Sequence, residues 1–483
     1  MLLLLTSLSW AAPLAYDEAL ATALEANPGL GQANADLEAA EARVLGSRGI
    51  YDPTFNLSGG RNWELSQGFT QIPVGTEVFL VPFDTSDVRW NWSAGVSQTL
   101  STGTSWNVDW TNFSGNTLTK YQIDGFDPVQ QDNASGSTRL NTSVTQQLLE
   151  GHQRAYNMQA ERAAISVRDQ AEAGLLQQRQ ELLKNVALAY WELFYAQQAL
   201  QTADNAVTVA QEEVRIVQAQ LDAGNVAPVD LTRVQAALAQ SQLTLIQAEN
   251  SALAASDALA VQLDLPVGQP LEPTTPPGGV PDDVSMNLQQ TVADALDGNP
   301  GLVAQRAAVE NARADVAVGR HALLPSLSLT ASAGLSGFDP QDGYGSAVDA
   351  FTTFDFPTVY VGGNFSAPLG NRSAKADLDA RQAALTRAEL GLQAAEQATA
   401  QAVAISVRSI ETSRRILELA QLNLRLAEET LAAEKARQEA GRAIQKDLLE
   451  AQRSRDAAEV ELSRSMVDYR KALVELMALQ GRL

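Results

Sequence analysis

The sequence has no cysteine and only two histidines, His152 and His321. Without cysteine the chain has no disulfide framework, no thiol nucleophile and no lipidated amino-terminal cysteine. Two histidines are too few for most histidine-rich metal sites. A phosphate-binding loop and a Gly-x-Ser-x-Gly elbow are also missing. The composition therefore predicts that the protein is not an enzyme and holds no metal or other cofactor.

Basic and aromatic residues are scarce as well. The 34 Lys and Arg stand against 57 Asp and Glu, which gives a formal net charge of -23. An acidic chain repels polyphosphate, so nucleic acid is not an expected partner. Aromatic residues make up only 6% of the 483 residues. Together with the abundance of Ala, Gln, Leu and Glu, this low content predicts long helices instead of several compact cores.

Long apolar runs are missing too. The sequence contains no uncharged apolar stretch of the roughly 18 residues that a transmembrane helix needs. A membrane-spanning form would therefore have to be a β-barrel. Residues 1–12 form a short apolar run that ends in Ala11-Ala12. We interpret them as the remnant of a signal peptide and expect an exported protein.

The chain contains an internal duplication. Residues 19–57 and 291–329 are identical at 15 of 39 positions, at an offset of 272. A later match has an offset of 217, so the first repeat carries about 55 extra residues. We predict a first repeat over 13–265, a proline-rich linker over 266–286 and a second repeat over 287–483.

The residue pattern of each repeat predicts the same order of elements: helix, strands, long helix, tight turn and helix. Apolar residues recur at three- and four-residue spacing along the helical segments. We expect these helices at about 28–48, 152–222 and 228–264, and again at about 300–321, 371–440 and 444–481. A helix of about 70 residues is about 105 Å long, so the helices are expected to form coiled-coil-like layers.

The β segments, 53–149 and 325–369, switch to a period of two. One face of each predicted strand is apolar and the other is small and polar. Five tryptophans lie in the first segment: Trp63, Trp90, Trp92, Trp106 and Trp110. The pattern is typical of outer-membrane strands around a wet lumen, with aromatics at the membrane interface. A soluble β-sandwich with one buried face is the alternative.

The pattern gives four strands in the first repeat and two in the second. Six strands do not close a water-filled channel, and open edges are not tolerated in lipid. Several protomers must then share one barrel, and their helices would continue it as a tube.

The duplicated Asn27-Pro28-Gly29-Leu30 and Asn299-Pro300-Gly301-Leu302 motifs are followed by two helix-to-strand junctions and two turn motifs. The junctions are at Pro53 and Pro325, and the turns are Ala223-Gly224-Asn225-Val226 and Ala440-Gly441-Arg442-Ala443. With these motifs the chain resembles the TolC-type outer-membrane efflux proteins, or outer membrane factors, over essentially its whole length. The resemblance implies an α+β membrane protein built from a duplicated helix–β-hairpin–long helix–turn–helix unit. It further implies a trimeric β-barrel in the bacterial outer membrane, continued by an α-helical barrel in the periplasm.

The resemblance also implies a function and partners. The homotrimer would be the channel or exit duct of a tripartite efflux or type I secretion system, in contact with outer-membrane lipid. A periplasmic adaptor (membrane fusion) protein and an inner-membrane transporter would be its partners. Family barrels have four strands per protomer. This chain has an additional hairpin at about 88–113. The twelve-stranded barrels of the family favour a hairpin that stands above the membrane. Its tryptophan-rich faces favour a hairpin that joins the barrel.

The resemblance assigns roles to the two turns. The adaptor would dock on residues of both turns: Ala223, Gly224, Asn225, Val226, Leu231, Ala440, Gly441, Arg442, Ala443 and Leu448. Acidic residues near them, Asp447, Glu450 and Asp230, would form the periplasmic gate. Asp447 and Glu450 are three residues apart and so lie on one face of a helix. An ordinary solvated acidic face is the alternative.

One function outside this class stays open: a periplasmic coiled-coil adaptor or scaffold without a barrel. The alternating, tryptophan-rich segments argue against it. The sequence does not distinguish efflux of small molecules from secretion of proteins.

Overall fold

The computed structural model describes residues 12–122, 127–278, 287–341, 343–439 and 445–483. Most of the predicted signal peptide and the end of the predicted linker lie outside these ranges. The helices of the first half are Tyr16–Ala26 (α1), Pro28–Arg48 (α2), Arg154–Asn157 (α3), Gln159–Asp222 (α4) and Pro228–Gln262 (α5). Those of the second half are Leu288–Gly298 (α6), Pro300–His321 (α7), Tyr344–Thr352 (α8), Arg372–Glu439 (α9) and Gln445–Leu479 (α10). The strands are Ala12–Leu14 (β1), Thr54–Val74 (β2), Glu77–Thr99 (β3), Thr104–Tyr121 (β4), Val129–Gln147 (β5), Leu271–Pro273 (β6), Ser326–Asp339 (β7) and Phe356–Ser366 (β8).

The order helix, strands, long helix, helix occurs in both halves, as predicted. The long helices α4 and α9 have 64 and 68 residues. Helix α4 begins later than predicted because Met158, with φ -83° and ψ 23°, leaves the helical conformation and separates α3 from α4. The predicted β segment 325–369 also contains helix α8, which the sequence pattern did not indicate. No helix in the described ranges is long and apolar enough to cross a bilayer.

The chain divides into two compact units. The helical unit comprises the described residues of Met1–Ala39, Arg168–Val309 and Ala388–Leu483. The sheet unit comprises those of Ala40–Val167 and Glu310–Arg387. Both halves of the sequence contribute to each unit.

In the helical unit, the duplicated Asn-Pro-Gly-Leu motif begins a helix and holds the end of another. The side-chain Oδ1 of Asn27 accepts hydrogen bonds from the Gly29 and Leu30 amides, which caps α2. Its Nδ2 donates to the carbonyl of Gln262, the last residue of α5. Asn299 repeats the arrangement, since it accepts from the amide of Leu302 and donates to the carbonyl of Leu479 at the end of α10.

Two apolar clusters lie in the described part of the helical unit. The larger one surrounds Tyr190 and Leu193 of α4 together with Leu259 of α5, and all three are fully buried. The smaller one surrounds Val403 and Ile410 of α9. The proline-rich segment packs against the first cluster, because the Tyr190 hydroxyl donates to the Leu14 carbonyl and accepts from the Thr275 amide. This segment, predicted as a linker, is therefore part of the core where it is described.

The sheet unit contains one antiparallel sheet of six strands, in the order β2-β3-β4-β5-β7-β8. Four strands come from the first half and two from the second, as predicted. The additional hairpin at 88–113 is formed by β3 and β4 and lies inside this sheet, between β2 and β5. Whether the hairpin stands above the membrane or joins the barrel of the assembled protein stays a prediction. Backbone hydrogen bonds on both sides fix it in the sheet.

Candidate functional site

The turn predicted at Gly224 connects α4 to α5. The Gly224 amide donates to the Leu221 carbonyl and the Asn225 amide to the Gln220 carbonyl, both at 2.9 Å. These two bonds form a Schellman motif, which requires a residue with positive φ at the position of Gly224. Gly224 has φ +75°, and a Cβ added there would meet nothing within 4 Å. The backbone conformation, and not crowding, therefore selects glycine.

The acidic residue after this turn caps the returning helix. Asp230 Oδ2 accepts a hydrogen bond from the Ala227 amide at 3.3 Å, and Oδ1 lies 3.4 Å from Arg233 Nη1. A carboxylate in the first turn is also favoured by the helix dipole. The structure thus gives Asp230 a local structural role.

The predicted docking residues of the first turn lie together on the surface. Ala223, Gly224 and Asn225 are exposed, and Val226 and Leu231 are half-buried. The surface of this turn thus consists of three exposed residues beside two partly covered apolar side chains, and its role in docking stays a prediction.

The second turn falls largely outside the described residues. This applies to Ala440, Gly441, Arg442 and Ala443. Helix α10 begins directly after them, with Asp447 half-buried, Leu448 buried and Glu450 exposed in its first turns. Asp447 and Glu450 have the expected spacing on one helix, and their place in a gate stays a prediction.

One face of the sheet carries apolar residues on all six strands, with some polar residues such as Arg61 and Asn112 among them. Residues directly opposite each other in paired strands point to the same side. One such row across all six strands is Leu57, Ala94, Trp110, Leu140, Leu335 and Pro357. The other predicted tryptophans, Trp63, Trp90, Trp92 and Trp106, lie on this face by the same register. The predicted apolar positions of all six strands therefore share one side of the sheet.

The opposite face is polar. The adjacent row is Asn56, Gly95, Asp109, Asn141, Gly334 and Thr358. A groove of about 770 Å³ lies over this face, and Arg139 and Asp109 are among the residues that line it. The polar side is therefore concave and holds charges of both signs.

The tryptophan indoles form hydrogen bonds and ring contacts with other side chains of the sheet. Trp110 Nε1 donates to Thr138 Oγ1 at 2.9 Å, and Trp106 Nε1 donates to Gln98 Oε1 at 3.0 Å. Trp92 and Trp110 pack edge to face with ring centroids 4.7 Å apart. These contacts fix the orientation of the rings while much of their surface stays open.

Helix α8, which the sequence pattern did not indicate, covers one part of the apolar face. The Tyr344 hydroxyl bonds to Asn112 Oδ1 at 2.8 Å, and a Cβ at Gly337 would collide with the Ala347 carbonyl. Asn112 and Gly337 belong to the same face as the tryptophans. The side of α8 turned away from the sheet exposes Gly345, Asp349 and Thr352. Where α8 lies, the outer surface is therefore polar.

An ion-pair network joins α4 to α10 in the helical unit. Arg464 Nη1 lies 3.0 Å from Glu192 Oε1, and Lys471 bonds to the other oxygen of the same carboxylate. Burial alone would raise the pKa of Glu192. The bond from Lys471 and the charges of Lys471 and Arg464 outweigh this effect and hold the pKa below its ordinary value. The sequence has no local signal for this network, since Glu192 is far from its partners along the chain.

A comparison with models of protein families identifies the family to which the chain belongs. The model of the outer membrane efflux protein family matches residues 19–263 and 291–482, which is most of the chain. The chain belongs to the outer membrane efflux protein family. Membership confirms the predicted family and the predicted location in the bacterial outer membrane.

Two curated proteins show the same relationship over part of their length. The outer membrane efflux protein BepC of Brucella suis biovar 1 is 29% identical over 242 residues, which are 49% of this chain and 50% of BepC. The protein CyaE of Bordetella pertussis is 28% identical over 183 residues, or 38% of each chain. The matched parts therefore span half or less of the curated relatives.

Solved structures of an outer membrane channel and of another outer membrane protein share the fold. The CmeC outer membrane channel of Campylobacter jejuni has a TM-score of 0.64 at 17% identity, over 97% of this chain and 86% of CmeC. The outer membrane protein VceC of Vibrio cholerae has a TM-score of 0.64 at 18% identity, over 96% of each chain. At such low identity the likeness establishes the fold of this family member.

Proposed function

We propose that three copies of this chain form the exit duct of a tripartite efflux or type I secretion system. Substrate would pass from an inner-membrane transporter and a periplasmic adaptor into a helical tunnel, and then through a barrel in the outer membrane. The proposal rests on the sheet, because its six strands have one mainly apolar face and one concave, mainly polar face. Strands between lipid and a water-filled lumen need this alternation.

The two edges of the sheet support a shared barrel. Within the described residues, β2 and β8 each pair on one side only. An open edge inside lipid leaves backbone groups without partners at a cost of several kcal/mol each. Pairing β8 of one copy with β2 of the next removes every edge when three copies close a ring. Six strands per copy then give eighteen strands, and not the twelve implied by the family resemblance.

The height of the apolar face fits the outer membrane. It extends along β7 from Leu327 to Leu335, next to the position where α8 begins to cover it. Eight residue steps span about 27 Å along a strand, or about 20 Å along the barrel axis at a tilt of about 40°. Outer-membrane barrels have an apolar band about 25 Å tall. The tryptophans on this face are proposed to contact lipid, and α8 marks the outer end of the band.

The helices also offer surface to neighbouring copies. Helix α5 has only four charged residues among its 35 and exposes large apolar side chains: Leu243, Ile246 and Leu253. Helix α9 exposes a second set: Leu390, Leu419 and Leu426. Exposed apolar stripes of this length are typical of helix–helix interfaces. We assign them to contacts between copies in the tunnel wall.

The two turns are assigned to the periplasmic end. The exposed first turn around Gly224, with the corresponding second turn around Gly441, is the proposed docking surface for the adaptor. Asp447 and Glu450 of three copies would place six carboxylates together as a cation-attracting gate. We also assign Asp230 to this gate, in addition to the hydrogen bond by which its carboxylate caps α5.

Channel recordings on the purified protein test the proposal. An exit duct should migrate as a trimer on gels without heating, as a monomer after heating, and should produce discrete ionic currents in planar bilayers. A periplasmic adaptor or scaffold without a barrel would be extracted without detergent and give no currents. That outcome would reject the duct.

A further inference from the structure

The two histidines of the chain come from opposite halves of the sequence and meet in the sheet unit. His152 lies between β5 and α3, and His321 is the last residue of α7. Their ring centroids are 5.1 Å apart and their planes are tilted by 49°. The only two imidazole rings of the 483-residue chain therefore lie close together in the folded protein.

The hydrogen bonds of the two rings leave one nitrogen of each for another partner. His152 Nδ1 lies 2.5 Å from the Leu149 carbonyl, which can only accept, so Nδ1 carries a proton and Nε2 is the nitrogen left for another partner. His321 is 7% exposed, and its Nε2 has no hydrogen-bond partner. A buried polar atom without a partner destabilises the fold, so this nitrogen requires an explanation.

Tyr156 and the acidic Glu150 lie beside the ring of His321. The ring of Tyr156 packs edge to face on His321 at 5.3 Å, and its hydroxyl donates to Glu150 Oε1 at 2.9 Å. Two imidazole rings, one phenol ring and one carboxylate therefore lie close together.

We propose that His152 and His321 bind one divalent transition-metal ion of the zinc, nickel or copper class through their Nε2 atoms. Two imidazoles on one tetrahedral ion, at about 2.0–2.1 Å each, have ring centroids about 5 Å apart. The carbonyl on His152 Nδ1 is the outer partner that metal-binding histidines usually have. No group of three or more His, Cys, Asp or Glu suited to a metal occurs in the described parts of the chain. Water would then complete the coordination. The inference is independent of the exit-duct function.

Metal titration of the tag-free protein in detergent tests the site, because the chain contains no other histidine. We expect one Cu²⁺ per protomer at neutral pH, with an electron paramagnetic resonance spectrum of two imidazole nitrogens. Zn²⁺ and Ni²⁺ should compete. His152→Gln removes an exposed ligand and should weaken binding at least about tenfold, as should His321→Gln, because loss of an outer partner alone costs 10–100-fold. Gln153→Ala, next to His152 and without a side-chain cap bond, should bind like the parent.

Melting experiments give a second readout. Because the ligands come from both halves of the chain, saturating Zn²⁺ should raise the Tm of the parent and of Gln153→Ala but not of His152→Gln. Since His152 is exposed, its substitution leaves the buried packing in place and keeps the test valid if His321→Gln misfolds. Equal Cu²⁺ binding by the parent and His152→Gln, or no saturable binding by the parent, would overturn the proposal.

Discussion

At the scale of single residues, the conformation of Gly224 provides a sharp test of the first turn. Its φ of +75° costs a residue with a side chain about 1–2 kcal/mol, although a Cβ would meet no neighbour. We expect Gly224→Leu to reduce efflux strongly while leaving the trimer intact, because the side chain both strains the turn and obstructs a partner. Efflux in cells and trimer migration on gels measure the two effects.

Two further substitutions separate these causes. Gly391→Leu places the same side chain on a helical glycine that also has open space around it, so it should leave efflux unchanged. Gly224→Asn tolerates positive φ but keeps a bulky side chain. If Gly224→Asn restores efflux, the turn geometry is what matters; loss of the trimer in Gly224→Leu would make the glycine purely structural.

The proposed gate also depends on single charges. Replacing Asp447 and Glu450 by Asn and Gln removes two carboxylates from each copy and should change single-channel conductance and weaken block by multivalent cations. Asp456 and Glu459 have the same residue types and spacing on α10, and both pair with Arg455. Their neutralisation is the matched control and should have a smaller effect. Identical currents in the parent and the Asp447/Glu450 variant would rule out the gate.

At the scale of helices, the contact of α4 with α10 makes stability depend on pH. The pKa of Glu192 is lower in the folded protein than its ordinary value of 4.5. Its contribution is therefore fully present above about pH 4.5 and is lost as the pH falls through the folded pKa. The effect is moderate, because 41% of the Glu192 side chain is exposed.

We expect acidification from pH 6 to below pH 4 to lower the Tm of the parent more than that of Glu192→Gln. Thermal unfolding followed by circular dichroism measures the difference. Glu181→Gln is the control, because Glu181 pairs with Lys184 on the same helix and joins no second element. Parallel pH profiles for the parent and Glu192→Gln would show that the network adds no stability.

The elements also show what the sequence could predict. The hydrophobic periodicity and the helix-start residues predicted both ends of α2, α5 and α7 to within two residues. Proline begins each of these helices, and their apolar residues are regularly spaced. Alternation predicted the number of strands and the side on which their apolar residues lie, but not their full lengths, since the hairpin predicted at about 88–113 extends over 77–121. Helix α8 was not predicted, since nine residues carry too little period and its stability comes from packing on β5 and β7. The His152–His321 and Glu192–Arg464 contacts join distant positions, so no local pattern indicates them.

At the scale of the whole molecule, the number of strands determines the width of the duct. With a strand spacing of about 4.8 Å and a tilt of about 40°, eighteen strands give a barrel about 36 Å across, and twelve give about 24 Å. The choice depends on whether β3 and β4 stay in the sheet after assembly. Their hairpin turn is held at its base by Asn157, whose Nδ2 donates to the carbonyls of Ser101 and Gly151. Because this anchor and both ladders would have to break, we expect all six strands of each copy to enter the barrel.

Cysteine chemistry measures this width, because the chain has no cysteine of its own. A cysteine at Asn56 on edge strand β2 should cross-link to cysteines scanned along β8 of a neighbouring copy and give covalent trimers. A single cysteine at Asn141 on the polar face should react from outside with maleimide-polyethylene glycols up to a size limit. Deleting residues 77–121 removes β3 and β4, leaves twelve strands in the trimer, and should lower that limit, since the lumen narrows by about one third. An unchanged limit in a deletion variant that still forms trimers would mean that β3 and β4 lie outside the barrel wall, and the duct would then have twelve strands.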